Sequence, residues 1–166
     1  MKILQNSFNQ YLNKNYFFEK KPNIAVAVSG GPDSMCLIHL LKNWINVNKG
    51  NLVALIIDHQ LRKESKEESH LIKNYLLKNK ISTKIIKINK KLVIKKSMKE
   101  ARENRYEKLI KYCNRKNIFH LFLAHHYDDN IETFLIRKLS GSNFEGLRGM
   151  RYKSIKNCIQ ILRPLL

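Results

Sequence analysis

Residues 24–41 run Ile-Ala-Val-Ala-Val-Ser-Gly-Gly-Pro-Asp-Ser-Met-Cys-Leu-Ile-His-Leu-Leu, and they read as strand, tight loop and helix. Ile24 to Val28 is wholly apolar and rich in β-branched residues, the pattern of a strand buried on both faces of a parallel sheet. Ser29, Gly30 and Gly31 break that run. From Pro32 onward Met35, Leu37, Ile38, Leu40 and Leu41 give a helix with a broad apolar side. Pro32 suits the first helical turn, where its missing N–H leaves no intrahelical bond unmade.

Such a loop opens a helix N-terminus. Glycines at 30 and 31 permit torsions closed to other residues and let a ligand approach the main chain. The N–H groups of Gly30, Gly31, Asp33 and Ser34 can converge on an anion, aided by the helix dipole. The hydroxyls of Ser29 and Ser34 add donors, and phosphate is the natural guest. Asp33 would repel phosphate unless a cation intervened, so Mg²⁺ bridging Asp33 and a polyphosphate is inferred. The plain alternative is an ordinary strand-to-helix turn capped by Ser and Asp. The stretch has neither the Gly-Lys-Ser/Thr of a Walker A loop nor a G-x-G-x-x-G after its strand.

With 166 residues, 43% of them hydrophobic, the chain is long and apolar enough for one domain with a real core. Lys and Arg number 32 against 13 Asp and Glu, a formal charge of +19. That charge favours a polyanionic partner, nucleic acid before an anionic membrane. A genome poor in G and C would also enrich Lys, Asn and Ile, but need not leave acids so scarce. Cys36, Cys113 and Cys158 are far apart, which excludes a zinc knuckle or a redox pair and suits a reducing, cytoplasmic compartment. No stretch approaches a membrane span, and no signal-peptide core stands at the N-terminus.

An amphipathic helix is expected over residues 2–18, a second strand over 52–57 and a third over 83–88, its lysines suiting a sheet edge. Ser65-Lys-Glu-Glu68 reads as a capping box opening a helix to about Asn79. A basic loop over 89–96, a long helix from Ser97 to about Asn117 and a strand from Ile118 to Ala124 follow. A helix then runs to about Leu139, and Cys158 to Leu162 is a fifth strand. Strands alternating with helices predict a parallel α/β sheet of about five strands, helices on both faces and right-handed crossovers. Ligands of such sheets sit beyond the strand C-termini. The polar clusters at 29–34, 58–62 and 125–132 all fall there.

Asp58 and His59 could simply end a strand, or stand near a nucleotide. Arg102, Arg105 and Tyr106 share a helix face and could grip phosphate or carboxylate, or face water beside Glu100 and Glu103. The richest cluster is His125-His-Tyr-Asp-Asp129 with Glu132-Thr133. Asp129 and Glu132, one turn apart, could cap a helix or hold an amine or Mg²⁺. Either histidine could move a proton or contact phosphate.

Ser29-Gly-Gly-Pro-Asp-Ser34 resembles the pyrophosphate loop of the N-type ATP pyrophosphatases, which split ATP into AMP and pyrophosphate. Together with Asp58-His-Gln-Leu-Arg62, Ala101-Arg-Glu-Asn-Arg-Tyr106, the 125–133 cluster, Arg137-Lys-Leu-Ser-Gly-Ser142, Gly146-Leu-Arg-Gly-Met150 and Arg163-Pro-Leu-Leu166, it resembles the tRNA(Ile)-lysidine synthetases over almost the whole chain. The resemblance implies a three-layer Rossmann-like fold of the adenine nucleotide alpha hydrolase type. It implies a ligase that adenylates the C2 oxygen of the wobble cytidine of an isoleucine tRNA with a CAU anticodon. Free lysine then displaces AMP. Ser29, Gly30, Gly31, Pro32, Asp33, Ser34, Asp58 and His59 would bind ATP, with Mg²⁺ on Asp33. Arg102 and Arg105 would contact phosphate or the cytidine's backbone, Asp129 and Glu132 would bind the lysine ammonium, and His125 or His126 would take its proton. A tRNA thiolase and a non-catalytic nucleotide- or RNA-binding module are the rival readings. Oligomeric state stays open, a homodimer included. The further tRNA-binding domains of longer members are expected to be absent from 1–166, their contacts partly replaced by the basic surface.

Overall fold

The computed structural model describes residues 2–58, 64–88, 98–143 and 147–166. In chain order they form α1 (Lys2–Asn15), β1 (Asn23–Val28), α2 (Pro32–Val47), β2 (Asn51–Asp58), α3 (Glu64–Lys78), β3 (Ser82–Lys87), α4 (Met98–Arg115), β4 (His120–Phe122), α5 (Tyr127–Leu139), β5 (Lys153–Lys156) and β6 (Ile159–Leu162). The strands make one sheet in the order β3-β2-β1-β4-β6-β5. All neighbours are parallel except β5 and β6. No helix among the described residues is long and apolar enough to cross a membrane.

Alternation along the central strands divides the core. Val26, Ala54, Ile56, Phe122 and Leu162 face α1, α2 and α3, where Leu12, Leu37, Leu41, Trp44 and Leu76 cover them. Ala25, Leu55, Leu121 and Ile161 face α4, against Leu109, Ile110 and Cys113. The result is the expected three-layer arrangement, and β3 does lie at an edge.

Several boundaries differ from the sequence reading. Helix α1 ends at Asn15 rather than running to residue 18. Beyond it the chain turns inward: Tyr16 is buried, and Phe18 packs against Trp44, His120 and Phe122. Tyr16 and Phe18 thus serve the core rather than a helix face, while Phe17 between them is exposed. Helix α3 already includes Ser65, whose carbonyl accepts a bond from Ser69 Oγ. The expected Ser65–Glu68 box therefore lies inside the helix. The basic loop of 89–96 lies outside the described residues.

The sheet has six strands instead of about five. The extra strand, β5, forms a hairpin with β6, joined by Asn157 and Cys158 with φ of 49° and 64°. Positive φ at both positions matches a right-twisted two-residue turn. Gly is the usual second residue of such a turn, and Cys158 in its place hid the hairpin from sequence reading.

From β1 the chain steps outward through β2 to β3, then returns to the other side of β1 with β4. The strand order reverses between β1 and β4. Two diverging crossovers leave a crevice at the strand C-termini there.

Candidate active site

A cleft of about 390 Å³ opens at that reversal. The loop after β1 supplies Ser29, Gly31, Asp33 and Ser34. Helix α3 adds Ser65 and Glu68, α4 adds Arg105 and Tyr106, and the end of β4 leads to His125 and Asp129.

The loop is built by its own side chains. Gly30 has φ +89°, and a Cβ there would run into the side chain of Ile72, so this position requires glycine. Gly31 has φ −71° in extended backbone, and a Cβ would meet only Ser29 Oγ at 3.6 Å. The torsional freedom expected at both glycines is used at Gly30 alone. Ser34 is buried; its Oγ donates to the Gly31 carbonyl at 2.9 Å and accepts from Ser29 N–H at 3.3 Å. That hydroxyl closes the loop on itself. Gly31 is the N-cap of α2 and Pro32 its first residue, with Asp33 in the first turn. The Asp33 and Ser34 amides precede any intrahelical acceptor, so the loop presents main-chain donors at a positive helix end.

His126 organises the opposite side. It caps α5 in a capping box with Asp129, whose Oδ2 accepts the His126 N–H at 2.8 Å. Asp129 therefore pairs with His126 rather than with Glu132, which is exposed one turn further on. The His126 ring lies between carboxylates, with Nε2 3.7 Å from Asp33 Oδ2 and Nδ1 3.9 Å from Asp129 Oδ2.

His125 lines the cleft, and its Nδ1 is buried without a hydrogen-bond partner. Burial, followed by the charges of Arg163 and Arg102, pushes its pKa down to about 4, against a smaller opposing pull from Asp129. The ring is uncharged at neutral pH. Burial also draws Arg105 below the usual guanidinium range. Arg102 lies 5.9 Å from the centre of the Tyr106 ring and donates to Met150 Sδ at 3.2 Å. Burial raises the Tyr106 pKa, but the hydrogen bond and charge of Arg163 outweigh it and leave the phenol below its usual range. Among the described residues no carboxylate pairs with Arg102, Arg105 or Arg163. Arg105 is the cation of the cleft wall, beside the carboxylates Asp33, Glu68 and Asp129, while the charges of Arg163 and Arg102 act on His125 from outside that lining.

Of the expected site residues, Ser29, Gly31, Asp33, Ser34, Arg105, His125 and Asp129 converge on the cleft. Gly30 and Pro32 shape its loop. Asp58 is buried (2% exposed) at the end of β2, and His59 lies outside the described residues. Arg102 and Glu132 are not in the cleft wall. Sequence reading missed Ser65 and Glu68, whose spacing had been read only as a cap. It also missed Asn130, whose side chain holds Met150 by accepting its N–H at 2.5 Å and donating to its carbonyl at 3.1 Å. Arg137 donates to the Arg148 carbonyl at 3.0 Å. Helix α5 buries no side chain fully, so these polar clamps fix it.

Among the described residues no group of three or more His, Cys, Asp or Glu could hold a metal alone. Asp33 at the cleft mouth suits Mg²⁺, which binds one or two carboxylates together with phosphate oxygens.

The sequence profile of the PP-loop domain family matches residues 1–166. A tRNA(Ile)-lysidine synthase of Wolbachia pipientis wMel is 41% identical over 161 residues, covering 96% of this chain and 37% of that protein. The synthase of the Wolbachia strain from Brugia malayi is 42% identical over 145 residues, 86% of this chain and 34% of that protein. The chain thus spans about a third of the length of these relatives. Among solved structures, the U34-tRNA thiolase NcsA of Methanococcus maripaludis, with its [4Fe-4S] cluster, superposes with a TM-score of 0.77. It is 16% identical and covers 99% of this chain and 60% of that one. That likeness is one of fold.

Proposed function

Because the chain belongs to the PP-loop domain family, we propose that its cleft binds ATP and joins free lysine to C2 of the wobble cytidine in a CAU-anticodon isoleucine tRNA, in the cytoplasm. The observation that carries this reading is the pairing of an anion-ready loop with a facing wall that holds Arg105 and a neutral His125 with an unpartnered nitrogen. The likeness to tRNA(Ile)-lysidine synthases over most of the chain supports the choice of substrate.

The chemistry has two steps. The C2 oxygen of cytidine attacks the α-phosphorus of ATP, and the bond to pyrophosphate breaks. A lysine amine then attacks C2, the bond to AMP breaks, and the amine loses a proton. The Gly31, Asp33 and Ser34 amides cradle the pyrophosphate portion as it departs. Asp33 would hold Mg²⁺, which when bound supplies positive charge against the leaving group. Arg105 faces the remaining phosphate from α4. The anionic adenylate offsets the arginines and raises the proton affinity of His125, so its imidazole accepts the amine proton. His126 is committed to its capping box and to Asp33, which makes His125 the better base. Asp129 lines the cleft and attracts the lysine ammonium, with Glu132 at its margin.

The thiolase alternative finds less support. Cys36 and Cys158 are exposed and Cys113 is buried with its thiol pushed up to about 12 by burial. None is among the residues that line the cleft.

The test uses the chain with Mg-ATP, labelled lysine and unmodified tRNA transcripts. Label should enter the isoleucine transcript only with ATP, and should not enter the methionine tRNA sharing its anticodon. Transfer to both, or AMP formation without transfer, would overturn the assigned specificity or acceptor.

A further inference from the structure

We propose that Arg163 is a positioning residue for the cleft chemistry, holding the Tyr106 phenol and steadying the His125 imidazole from behind the cleft wall. This deepens the proposed function and rests on it for the identity of the reaction. Arg163 follows β6 directly, at the same end of the sheet as the loop after β1. It is buried (7% exposed). Nη1 donates to the Arg151 carbonyl at 2.8 Å and to Ser154 Oγ at 3.3 Å, which anchors the fork to the β5 side. Nη2 donates to Tyr106 Oη at 3.4 Å. One rigid planar group thus joins the β-hairpin to α4, and Tyr106 on α4 lines the cleft.

A purely structural role accounts poorly for this residue. Its Nε is buried with no hydrogen-bond partner, and no carboxylate among the described residues balances its charge. A buried, uncompensated cation is unfavourable, and an apolar residue of similar volume would serve packing better. The guanidinium instead holds the phenol of Tyr106, a residue of the cleft wall, and its charge acts on His125 of the same wall. The charges that act on the ring are Arg102 and Arg105 on α4, Asp129 on α5 and Arg163 beyond β6, Arg163 being the largest of these influences. Arg163 would therefore set both the placement of the phenol and the charge state of the ring until an anionic substrate arrives.

NMR titration of the histidines tests this without turnover, in the wild-type chain and in Arg163→Gln, Arg163→Lys and Tyr106→Phe. Removing a positive charge eases protonation, so Arg163→Gln should move the His125 midpoint upward by about half a unit or more. Arg163→Lys and Tyr106→Phe keep a cation and should leave it near the wild-type value. In the lysine-transfer assay, Arg163→Gln should lower kcat about tenfold or more with little change in the KM for ATP. Arg163→Lys should restore the acid limb of the pH profile but only part of kcat, since ammonium lacks the fork. If Arg163→Gln lowers the melting temperature while the His125 midpoint stays put, Arg163 is structural and the proposal fails. Should Arg163→Gln not fold, Tyr106→Phe decides: full kcat in that variant overturns the proposal. If the wild-type chain transfers no lysine, the titration still judges Arg163, so failure of the proposed function remains distinguishable.

Discussion

His126 Nε2 stands 3.7 Å from Asp33 Oδ2, linking the first turn of α2 to the cap of α5 across the point where the sheet reverses. Asp33 is thereby steered by a residue whose own backbone is fixed by Asp129. Asp33→Ala should reduce pyrophosphate release at least about a hundredfold, the scale of a lost electrostatic stabiliser. Its carboxylate is half exposed, so folding should lose only the helix-dipole contribution of about 0.3–1 kcal/mol. Pyrophosphate assay and thermal melting, run together, check both halves. An active Asp33→Ala would remove Asp33 from the chemistry.

The neighbouring glycines should respond in opposite ways to alanine. Gly30→Ala forces a side chain into left-handed backbone and against Ile72, and should destabilise the chain by about 1–3 kcal/mol. Gly31→Ala has permitted torsions and room within the protein. It should fold normally yet bind ATP about tenfold or more weakly, because only a ligand would meet the new methyl group. Urea unfolding and ATP titration separate the pair.

Asn130→Ala should unfasten the segment at Met150. The lost bonds to the Met150 N–H and carbonyl are worth about 1–3 kcal/mol locally where they are sheltered from water. Amide exchange at Met150 should accelerate, while the core amides of β1 keep their protection. Unchanged exchange at Met150 would mean that Arg137 alone suffices.

Much of this architecture is legible in the sequence because local and global signals agree. The apolar run of β1, the glycines and the apolar side of α2 each point to one strand–loop–helix unit, and the cleft forms around it. The lysines of 83–88 likewise marked an edge correctly. What was hidden depends on partners distant in sequence. Asn130 looks like an ordinary surface polar residue until the segment near Met150 is brought beside it, and Arg163, noticed in the Arg163-Pro-Leu-Leu166 motif, shows its link to the phenol of Tyr106 only in the fold. The β5 hairpin was hidden for a local reason, since Asn157 and Cys158 adopt torsions that cysteine seldom signals. Ser65 and Glu68 were seen but misread, because spacing alone does not distinguish a cap from one face of a helix.

Acid should weaken the N-terminal end of the sheet through Glu19. Burial opposes its ionisation, but hydrogen bonds from His120, at 2.5 Å, and from the Asn23 amide leave its pKa below the ordinary glutamate range. A depressed carboxylate stabilises the fold above its unfolded pKa, and that stability is lost as pH falls through the folded value. The side chain is partly exposed, so the effect should be about 1 kcal/mol or less. Glu19→Gln should flatten the acid side of a plot of urea midpoint against pH. An identical slope in the variant would assign acid sensitivity elsewhere, His125 being the next candidate.

Both outer strands of the sheet are studded with lysine: Lys84 and Lys87 on β3, Lys153 and Lys156 on β5. An unpaired strand edge is a template for another chain, and β5 also exposes Ile155. Like charges at both rims make edge-to-edge stacking of two copies repulsive, which guards against aggregation when the chain is crowded or half-folded. The same guard weakens wherever the charge is screened or neutralised. Polyanions and high salt, conditions under which a basic protein is often handled, should therefore be those in which this chain most readily self-associates through its rims.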